Sequence, residues 1–269
     1  MEERLQWIKL QPLSWADWEP ARGGLAAHAA VARRYPKARC FVVEGTARRA
    51  AVAEQALHKP WWDRARWAGP APRFELPADG AVQMVWANMA LHMAADPQAL
   101  IAQWHRMLGA DGFLMFSCLG PDTLRELRDL YQSLGWPPPA HEFTDMHDWG
   151  DMLVNAGFAE PVMDMERITL TFETAERLLA ELRQLGRNLH PARFAALHGR
   201  SWRRQLLLAL SAQRASVAPM QQLPLTFEII YGHALKPQPR LPVQSETVLS
   251  LDEMRRVLQQ GKTVPRPRP

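Results

Sequence analysis

The sequence predicts an α/β protein built on an open, doubly wound and mostly parallel sheet. In its first half, short β-rich apolar runs alternate with helical patterns, which is typical of βαβ units. Connected parallel strands are almost always joined by right-handed crossovers, and an open sheet with helices on both faces satisfies that rule. A long helical segment then precedes one last strand, which we expect to be antiparallel to the others.

The elements follow the chain in a regular order, with a Pro-containing stretch around Trp61, Trp62 and Trp67 that indicates a connecting loop. The predicted strands are 13–18, 39–44, 82–88, 113–118, 162–172 and 225–234. The predicted helices of this core are 24–34, 46–57, 97–108, 122–134 and 146–156. Strand and helix therefore alternate through most of the chain.

Three parts make up the expected domain organisation. The sheet-based core covers 1–172 and 219–236, and a helical, Arg-rich insertion at 173–218 interrupts it before the last strand. A Pro-rich tail at 237–269 carries one short helix, at 250–260.

Composition indicates a globular protein without membrane segments. The chain has 269 residues, of which 47% are hydrophobic and 22% charged. No apolar run approaches the roughly 20 residues that a spanning helix needs, so we expect a cytoplasmic protein without a membrane partner. The two cysteines, Cys40 and Cys118, lie in apolar strand patterns and are expected to be buried thiols. We expect no disulfide and no metal site.

Positive charge is concentrated in the predicted insertion. Its arginines include Arg183, Arg187, Arg193, Arg200, Arg203, Arg204 and Arg214. This cationic face is either an ordinary solvated helix surface or a docking site for an acidic partner, a carrier protein or a nucleic acid. Interleaved aromatic residues and RNA-binding signatures are not evident, so the sequence disfavours nucleic acid.

Long segments of the second half resemble a known family. They read ALIAQWHRMLGADGFLMFSCLGPDTLRELRDL, HEFTDMHDWGDMLVNAGFAEPVMDMERITLTF and LTFEIIYGHALKP, and they run in family order across about 82–236. The chain is similar here to the malonyl-carrier-protein O-methyltransferases of biotin synthesis, which are class I S-adenosylmethionine-dependent methyltransferases. The resemblance implies a Rossmann-like fold, S-adenosylmethionine as cofactor, methyl esterification of the malonyl carboxylate and acyl carrier protein as partner.

The cofactor loop departs from the family pattern D-x-G-x-G-x-G. Asp17 and Gly23 match it, whereas Glu19 and Ala21 replace the first two glycines. The family glycines let the backbone approach the amino-acid part of the cofactor. An alanine at a position that requires positive φ costs about 1–2 kcal/mol. Pro20 fixes φ and lacks an N–H, and Glu19 brings a carboxylate near the expected methionine carboxylate, so we expect each change to oppose binding.

Other cofactor positions are kept in part. Glu44 matches the acid that accepts hydrogen bonds from the ribose hydroxyls, although an ordinary carboxylate at a strand end is the alternative. Asn88 follows the third predicted strand and is expected in the pocket. At 74–77 the family acid that meets the adenine amine is missing, and Glu75 is a partial substitute for it. The helices that precede the first strand in family members, and close over the ligands, are expected to be largely missing.

Four residues are candidates for binding the substrate. Arg125 and Arg128 follow the fourth predicted strand, where either guanidinium would neutralise a substrate carboxylate. The alternative is an ion pair with an acidic neighbour such as Glu126 in the same helix. His141 and Tyr231 lie in family-like segments and are the remaining candidates.

Two functions remain open on the sequence. The chain is either a working methyltransferase whose Arg200, Arg203 and Arg204 receive an acidic carrier protein, or a non-catalytic relative. Such a relative would bind or regulate a carrier protein, an active enzyme or a second copy of the chain. Three changes in one cofactor site, in the glycine turn, the adenine-side acid and the N-terminal helices, favour the second function.

Overall fold

A single sheet positions all the candidate residues. The computed structural model describes residues 1–58, 69–216 and 222–239. The predicted loop at Trp61, Trp62 and Trp67 and the predicted helix at 250–260 lie outside the described residues. The strands are β1 (Ser14–Trp18), β2 (Arg39–Val43), β3 (Val82–Ala87), β4 (Leu108–Leu119), β5 (Ala159–Phe172) and β6 (Leu223–Leu235).

The topology of the sheet confirms the predicted fold class. Its strand order is β2-β1-β3-β4-β6-β5. The pairs β1–β2, β1–β3 and β3–β4 are parallel, whereas β6 runs antiparallel to both of its neighbours, β4 and β5. The chain moves outward from β1 to β2 and then crosses to β3 on the other side of β1. Open α/β sheets bind ligands in the crevice at such a switch point, outside the carboxyl ends of the strands.

Helices cover both faces of the sheet, and several of them begin at a residue whose side chain caps them. Thr46 Oγ1 accepts the N–H of Arg49 at 3.3 Å, and Asp96 Oδ1 accepts the N–H of Ala99 at 2.9 Å. The helices are α1 (Pro20–Gly23), α2 (Leu25–Arg34), α3 (Ala47–Leu57), α4 (Pro97–Met107), α5 (Arg125–Ser133), α6 (Met146–Asn155), α7 (Ala175–Leu185) and α8 (Arg200–Ser216). Two 3-10 helices, Glu2–Trp7 and Leu91–Met93, complete the described part.

Alternating residues of β3 divide the core into two layers. Val85 and Ala87 face one layer, where they join Trp104 of α4. Met84 and Trp86 face the other layer, which contains α2 and α3. All five side chains are at most 1% exposed. This period of two is what a strand buried on both faces requires, and it fixes which residues reach the crevice at its end.

The predicted insertion packs onto the far end of the sheet. Leu178 of α7 and Leu206 and Leu210 of α8 are buried in one cluster with Leu127 of α5 and Leu225 of β6. Residues Met1–Pro237 form one compact unit, which contains all these elements. The insertion therefore shares a hydrophobic core with the start of β6.

Local differences from the predicted elements have clear causes. The segment predicted as the cofactor loop begins a short helix at Pro20, because proline suits the first turn of a helix. Helix α5 begins at Arg125 rather than at 122, since Leu124 has a left-handed φ of 60°. Arg73 forms a single parallel bridge to Phe41, at the outer edge of β2. No helix in the described ranges is long and apolar enough to cross a membrane.

Candidate functional site

The turn after β1 adopts the conformation of a glycine turn although glutamate occupies it. Glu19 has φ 54° and ψ 51°, in the left-handed region, and its N–H donates to the Val43 carbonyl at 2.7 Å. Ala21 lies inside α1 and is absent from the residues with positive φ. The strain expected at a replaced glycine therefore falls on Glu19 and not on Ala21. A non-glycine residue in this region costs about 1–2 kcal/mol.

The Glu19 side chain lies between the ends of β1 and β2. Its carboxylate is 3.1 Å from an Nη1 of Arg22 and 3.1 Å from an Nη1 of Arg49, and the side chain is only 12% exposed. A Cβ placed on Gly45, the residue after Glu44, would lie 2.6 Å from Glu19 Oε1. The space that Gly45 leaves beside the ribose-type acid is thus filled by a carboxylate of the chain itself.

Glu44 is partly satisfied by the same turn. Its Oε1 accepts the N–H of Ala21 at 2.7 Å, whereas its Oε2 is buried without a hydrogen-bond partner among the described residues. Burial raises the pKa of the Glu44 carboxyl, the Ala21 N–H opposes that rise, and the nearby Glu19 carboxylate adds to it. One oxygen of this acid is therefore used by the fold and the other is available to a donor.

Asp17 is held by His28, which the sequence pattern does not indicate as a site residue. Asp17 is 2% exposed, and its Oδ2 lies 2.7 Å from Nδ1 of His28 on α2. Burial raises the pKa of Asp17, and the hydrogen bond from His28 opposes the rise. The Trp15 ring lies beside His28, with centroids 5.3 Å apart. The only sequence signal for His28 is a single polar residue within an Ala-rich helix pattern.

Asn88 and Gly23 fasten the turn to the end of β3. Asn88 Nδ2 donates to the Gly23 carbonyl, and Asn88 Oδ1 accepts the Ser117 hydroxyl at 2.7 Å. A Cβ on Gly23 would clash with the backbone carbonyl oxygen of Asn88. Gly23 is therefore required by this close approach, and Asn88 spends both polar atoms of its amide on contacts within the chain.

A histidine pair lies next along the edge of the sheet. His92 Nδ1 accepts the Leu119 N–H at 3.4 Å, and His141 packs on Phe143 with ring centroids 4.5 Å apart. Burial, with smaller contributions from His141 and Arg22, lowers the pKa of His92 to about 4. The Nε2 atom of His141 is buried and has no partner in the described part of the chain. The sequence pattern does not indicate His92 as a site residue either. Its neighbour Leu91 is deeply buried.

The other substrate candidates are held by neighbours. Arg125 is 51% exposed and its Nε lies 3.4 Å from Glu126, which is the ion pair named as the alternative to substrate binding. Arg128 donates to the backbone carbonyl of Pro121. The guanidinium carbon of Arg4 lies over the Tyr231 ring, 4.3 Å from the centroid of that ring. Of the four substrate candidates, only His141 reaches the carboxyl edge with a free polar atom, so the structure does not bring them together as one site.

The remaining candidate positions are exposed. Glu75, the expected partial substitute for the adenine-side acid, has a side chain that is 56% exposed and lies 3.6 Å from Arg73. The docking candidates Arg200, Arg203 and Arg204 lie on the first turns of α8, with spacings that place them along one face. All three are exposed, and none pairs with a carboxylate in the described ranges. No cluster of metal-ligating side chains occurs among the described residues.

Comparison with known proteins identifies the family of this chain. Residues 20–116 match the family model described as "Methyltransferase domain". A malonyl-[acyl-carrier protein] O-methyltransferase of Gallionella capsiferriformans (strain ES-2) is 37% identical over 90% of this chain and 83% of its own length. That of Legionella pneumophila is 34% identical over 87% of this chain and 80% of its own length. This chain belongs to the malonyl-[acyl-carrier protein] O-methyltransferase family.

Solved structures support the fold of this family member. A protein of Bacillus halodurans C-125 superposes with a TM-score of 0.58 at 15% identity, covering 88% of this chain and 97% of that one. The YcgJ protein of Bacillus subtilis gives a TM-score of 0.57 at 14% identity, with the same coverage. At such identities the likeness establishes the Rossmann-like methyltransferase fold and nothing finer.

S-adenosylmethionine is the cofactor that family membership implies, and the site residues fit it only in part. The free Oε2 of Glu44 suits a ribose hydroxyl. Against this, Glu19 fills the space over Gly45. Its carboxylate would also repel the methionine carboxylate of the cofactor. The arrangement of the turn therefore does not fit the cofactor unless Glu19 leaves its two arginines.

Proposed function

We propose that this chain is a non-catalytic member of its family that binds acyl carrier protein and has lost, or greatly weakened, S-adenosylmethionine-dependent methyl transfer. The observation that carries the proposal is the Glu19 carboxylate, held between Arg22 and Arg49 over Gly45. Methyl transfer to a carboxylate needs little acid–base chemistry, because the nucleophile is already ionised. Its rate depends on positioning and desolvation, and the closed turn opposes both.

The closed turn lowers cofactor affinity for two physical reasons. Opening it separates a mostly buried carboxylate from two guanidinium groups, and the open state then places that charge beside the cofactor. Every 1.4 kcal/mol of such cost reduces affinity about tenfold. Binding weaker than millimolar would leave the protein without a methyl donor under ordinary conditions.

The carrier-binding part of the proposal depends on unpaired positive charge. Arg200, Arg203 and Arg204 have no carboxylate neighbours within the described residues. Exposed, unneutralised arginines attract acidic surfaces and accelerate association. The relatives are named for a carrier-protein substrate, so an acidic carrier protein is the partner that this face would receive.

A working methyltransferase is the second candidate function. The free Oε2 of Glu44 favours it, since a buried acceptor without a partner is costly unless a ligand supplies the donor. The relative that matches over 83% of its own length also favours it. In that case the chain methylates the malonyl carboxylate on the carrier protein, and Glu19 must swing away when the cofactor enters.

Calorimetric titration with S-adenosylmethionine and S-adenosylhomocysteine separates the two candidates. We expect no heat from the wild-type chain at ligand concentrations up to about 1 mM. Glu19→Gly, which relieves the positive φ and removes the carboxylate, should restore binding by tenfold or more. Glu19→Gln is the matched control, because it removes the charge but keeps the volume and the strained φ, and it should restore less. Micromolar binding by the wild-type chain would overturn the non-catalytic proposal.

A further inference from the structure

A cavity that shares no residue with the turn after β1 lies between the helical insertion and α5. It has a volume of about 400 Å³ and is enclosed by α5, α7, α8 and the proline-rich turn that follows α5. Its floor is apolar and includes Leu127, Leu179 and Leu206. Sites of this size and lining bind small molecules or slender chains.

Aromatic rings form one wall of this cavity. Phe194, His198 and Trp202 stack in succession, with centroid separations of 4.5 Å and 3.6 Å. Trp136 extends the wall, 5.4 Å from Trp202. The sequence expectation that aromatic residues are not interleaved with the arginines is wrong for this segment, because Phe194 and Trp202 lie beside Arg193 and Arg203 in the chain. Such a wall offers flat apolar faces to an elongated ligand.

Arginines line the rim of the same cavity. Arg183, Arg193 and Arg203 contribute to its lining, and none of them forms an ion pair with a carboxylate in the described ranges. Arg193 donates one hydrogen bond, to the His190 carbonyl at 3.2 Å. Guanidinium groups in this setting bind phosphate well, through charge-assisted and often paired hydrogen bonds.

We infer that this cavity receives the 4′-phosphopantetheine arm of the carrier protein, an inference that rests on the proposed function. The arm is a slender amide chain with a phosphodiester at its protein end. The phosphodiester would meet the arginine rim while the chain lies against Trp136 and Trp202 and its free end enters the apolar floor. Arg203 links the two surfaces, since it lines the cavity and also belongs to the exposed face of α8.

The lining of the cavity is close in sequence to a substrate candidate. Pro137, Pro138 and Pro139 line it, and His141, whose Nε2 has no partner among the described residues, follows two residues later. Asn188, another lining residue, holds this turn by donating to the Pro138 carbonyl at 2.7 Å. A bound arm would therefore contact the segment that continues along the chain to His141, the substrate candidate with a free polar atom.

Binding of apo and holo carrier protein tests the inference. The wild-type chain should bind the holo form about tenfold more tightly than the apo form, which lacks the arm. Ala196→Phe fills the cavity from an exposed loop position and should remove that difference. Ala195→Phe is the matched control, because Ala195 is also exposed but does not line the cavity, and it should leave the difference intact. Equal binding of apo and holo forms by the wild-type chain would overturn the inference.

Further measurements separate this inference from the proposed function. Reversing Arg200 and Arg204, which do not line the cavity, should weaken apo and holo binding equally. If neither carrier form binds, the proposed function fails, and titration with free 4′-phosphopantetheine then decides about the cavity. If free 4′-phosphopantetheine binds and Ala196→Phe removes that binding, the inference about the cavity is supported. If it does not bind at millimolar concentration, the inference is overturned. Binding of a single-stranded oligonucleotide that Ala196→Phe removes would also overturn it, by assigning the cavity to nucleic acid.

Discussion

Two regions at the carboxyl edge of the sheet differ in whether their polar groups have partners within the chain. In the cofactor half, made of β1, β2 and α1–α3, the chain satisfies almost all of them itself: Glu19 through two arginines, Asn88 through Gly23 and Ser117. In the substrate half, made of α5, α7, α8 and the turn at 136–141, Arg203 and the Nε2 of His141 have no partners among the described residues.

This difference indicates which region can still bind a ligand. A polar group that already has a partner must lose it before a ligand gains anything, so a self-satisfied site is weak even where the fold is complete. Unpaired groups carry no such cost. The free Oε2 of Glu44 is the one exception described in the cofactor half, and it is the atom on which a surviving enzyme would depend.

The largest expected effect tests whether Gly23 is now a structural residue. Gly23→Ala should lower the free energy of unfolding by about 3 kcal/mol or more, because its Cβ would meet the Asn88 backbone carbonyl, which has little room to shift. Chemical denaturation measures this effect. Gly135→Ala is the control: Gly135 has a left-handed φ of 64° but open space around it, so strain alone should cost about 1–2 kcal/mol. Equal losses would contradict the close contact between the turn and β3.

The fold of both halves was predictable because it rests on local patterns. Strand alternation and helical periodicity predicted the main elements, and the family segments predicted the antiparallel last strand. These signals depend on residues close together in sequence. The glycine replacements at Glu19 and Ala21 were equally visible.

The site itself was less predictable, for the opposite reason. That Glu19 keeps the positive φ while Ala21 becomes helical depends on where α1 begins. The partners of Asp17 and Asn88, which are His28 and the Gly23 carbonyl, are selected by packing between elements. The aromatic wall likewise joins the turn after α5, a loop and α8. Such contacts follow from tertiary structure, and a single sequence does not reveal them.

The next effect concerns His92, which lies where the two halves meet, near Arg22 and His141. Its pKa of about 4 in the fold is below the ordinary value of 6.5, so the fold favours the neutral ring. The stabilisation it contributes is complete above pH 6.5 and is lost as the pH falls to about 4. The difference between these two pKa values corresponds to a change of about 3 kcal/mol in the free energy of unfolding.

Denaturation at several pH values checks this prediction. The wild-type chain should lose stability between pH 7 and pH 4 more steeply than His92→Gln, which cannot be protonated. His58→Gln, at an exposed position after α3, should keep the wild-type slope. If His92→Gln loses stability as steeply as the wild-type chain, water reaches the ring and the two halves are not sealed together there.

A smaller effect tests the substrate half alone. Reversing Arg200, Arg203 and Arg204 to Glu should weaken carrier binding about 30-fold, because exposed charges contribute roughly 0.5–1 kcal/mol each. Stability should stay within about 0.5 kcal/mol of wild type, since these side chains are exposed. Surface plasmon resonance at low and high salt measures the binding.

The matched control for this charge reversal lies in the cofactor half. Arg33, Arg39 and Arg48 are equally exposed there, and reversing them gives the same net charge. Carrier binding should then change less than about threefold, beyond the general effect of net charge. Equal weakening by the two triple variants would mean that the carrier responds to overall charge and not to the face of α8.

The smallest effect separates the two replaced glycines. Ala21→Gly should leave S-adenosylmethionine binding unchanged, because Ala21 already has a helical φ and its N–H already donates to Glu44 at 2.7 Å. Stability should fall by about 0.5–1 kcal/mol, the usual cost of glycine inside a helix. Calorimetry beside Glu19→Gly makes the comparison direct. If Ala21→Gly restores binding and Glu19→Gly does not, Ala21 is the residue that closes the turn, and the role assigned to the Glu19 carboxylate is wrong.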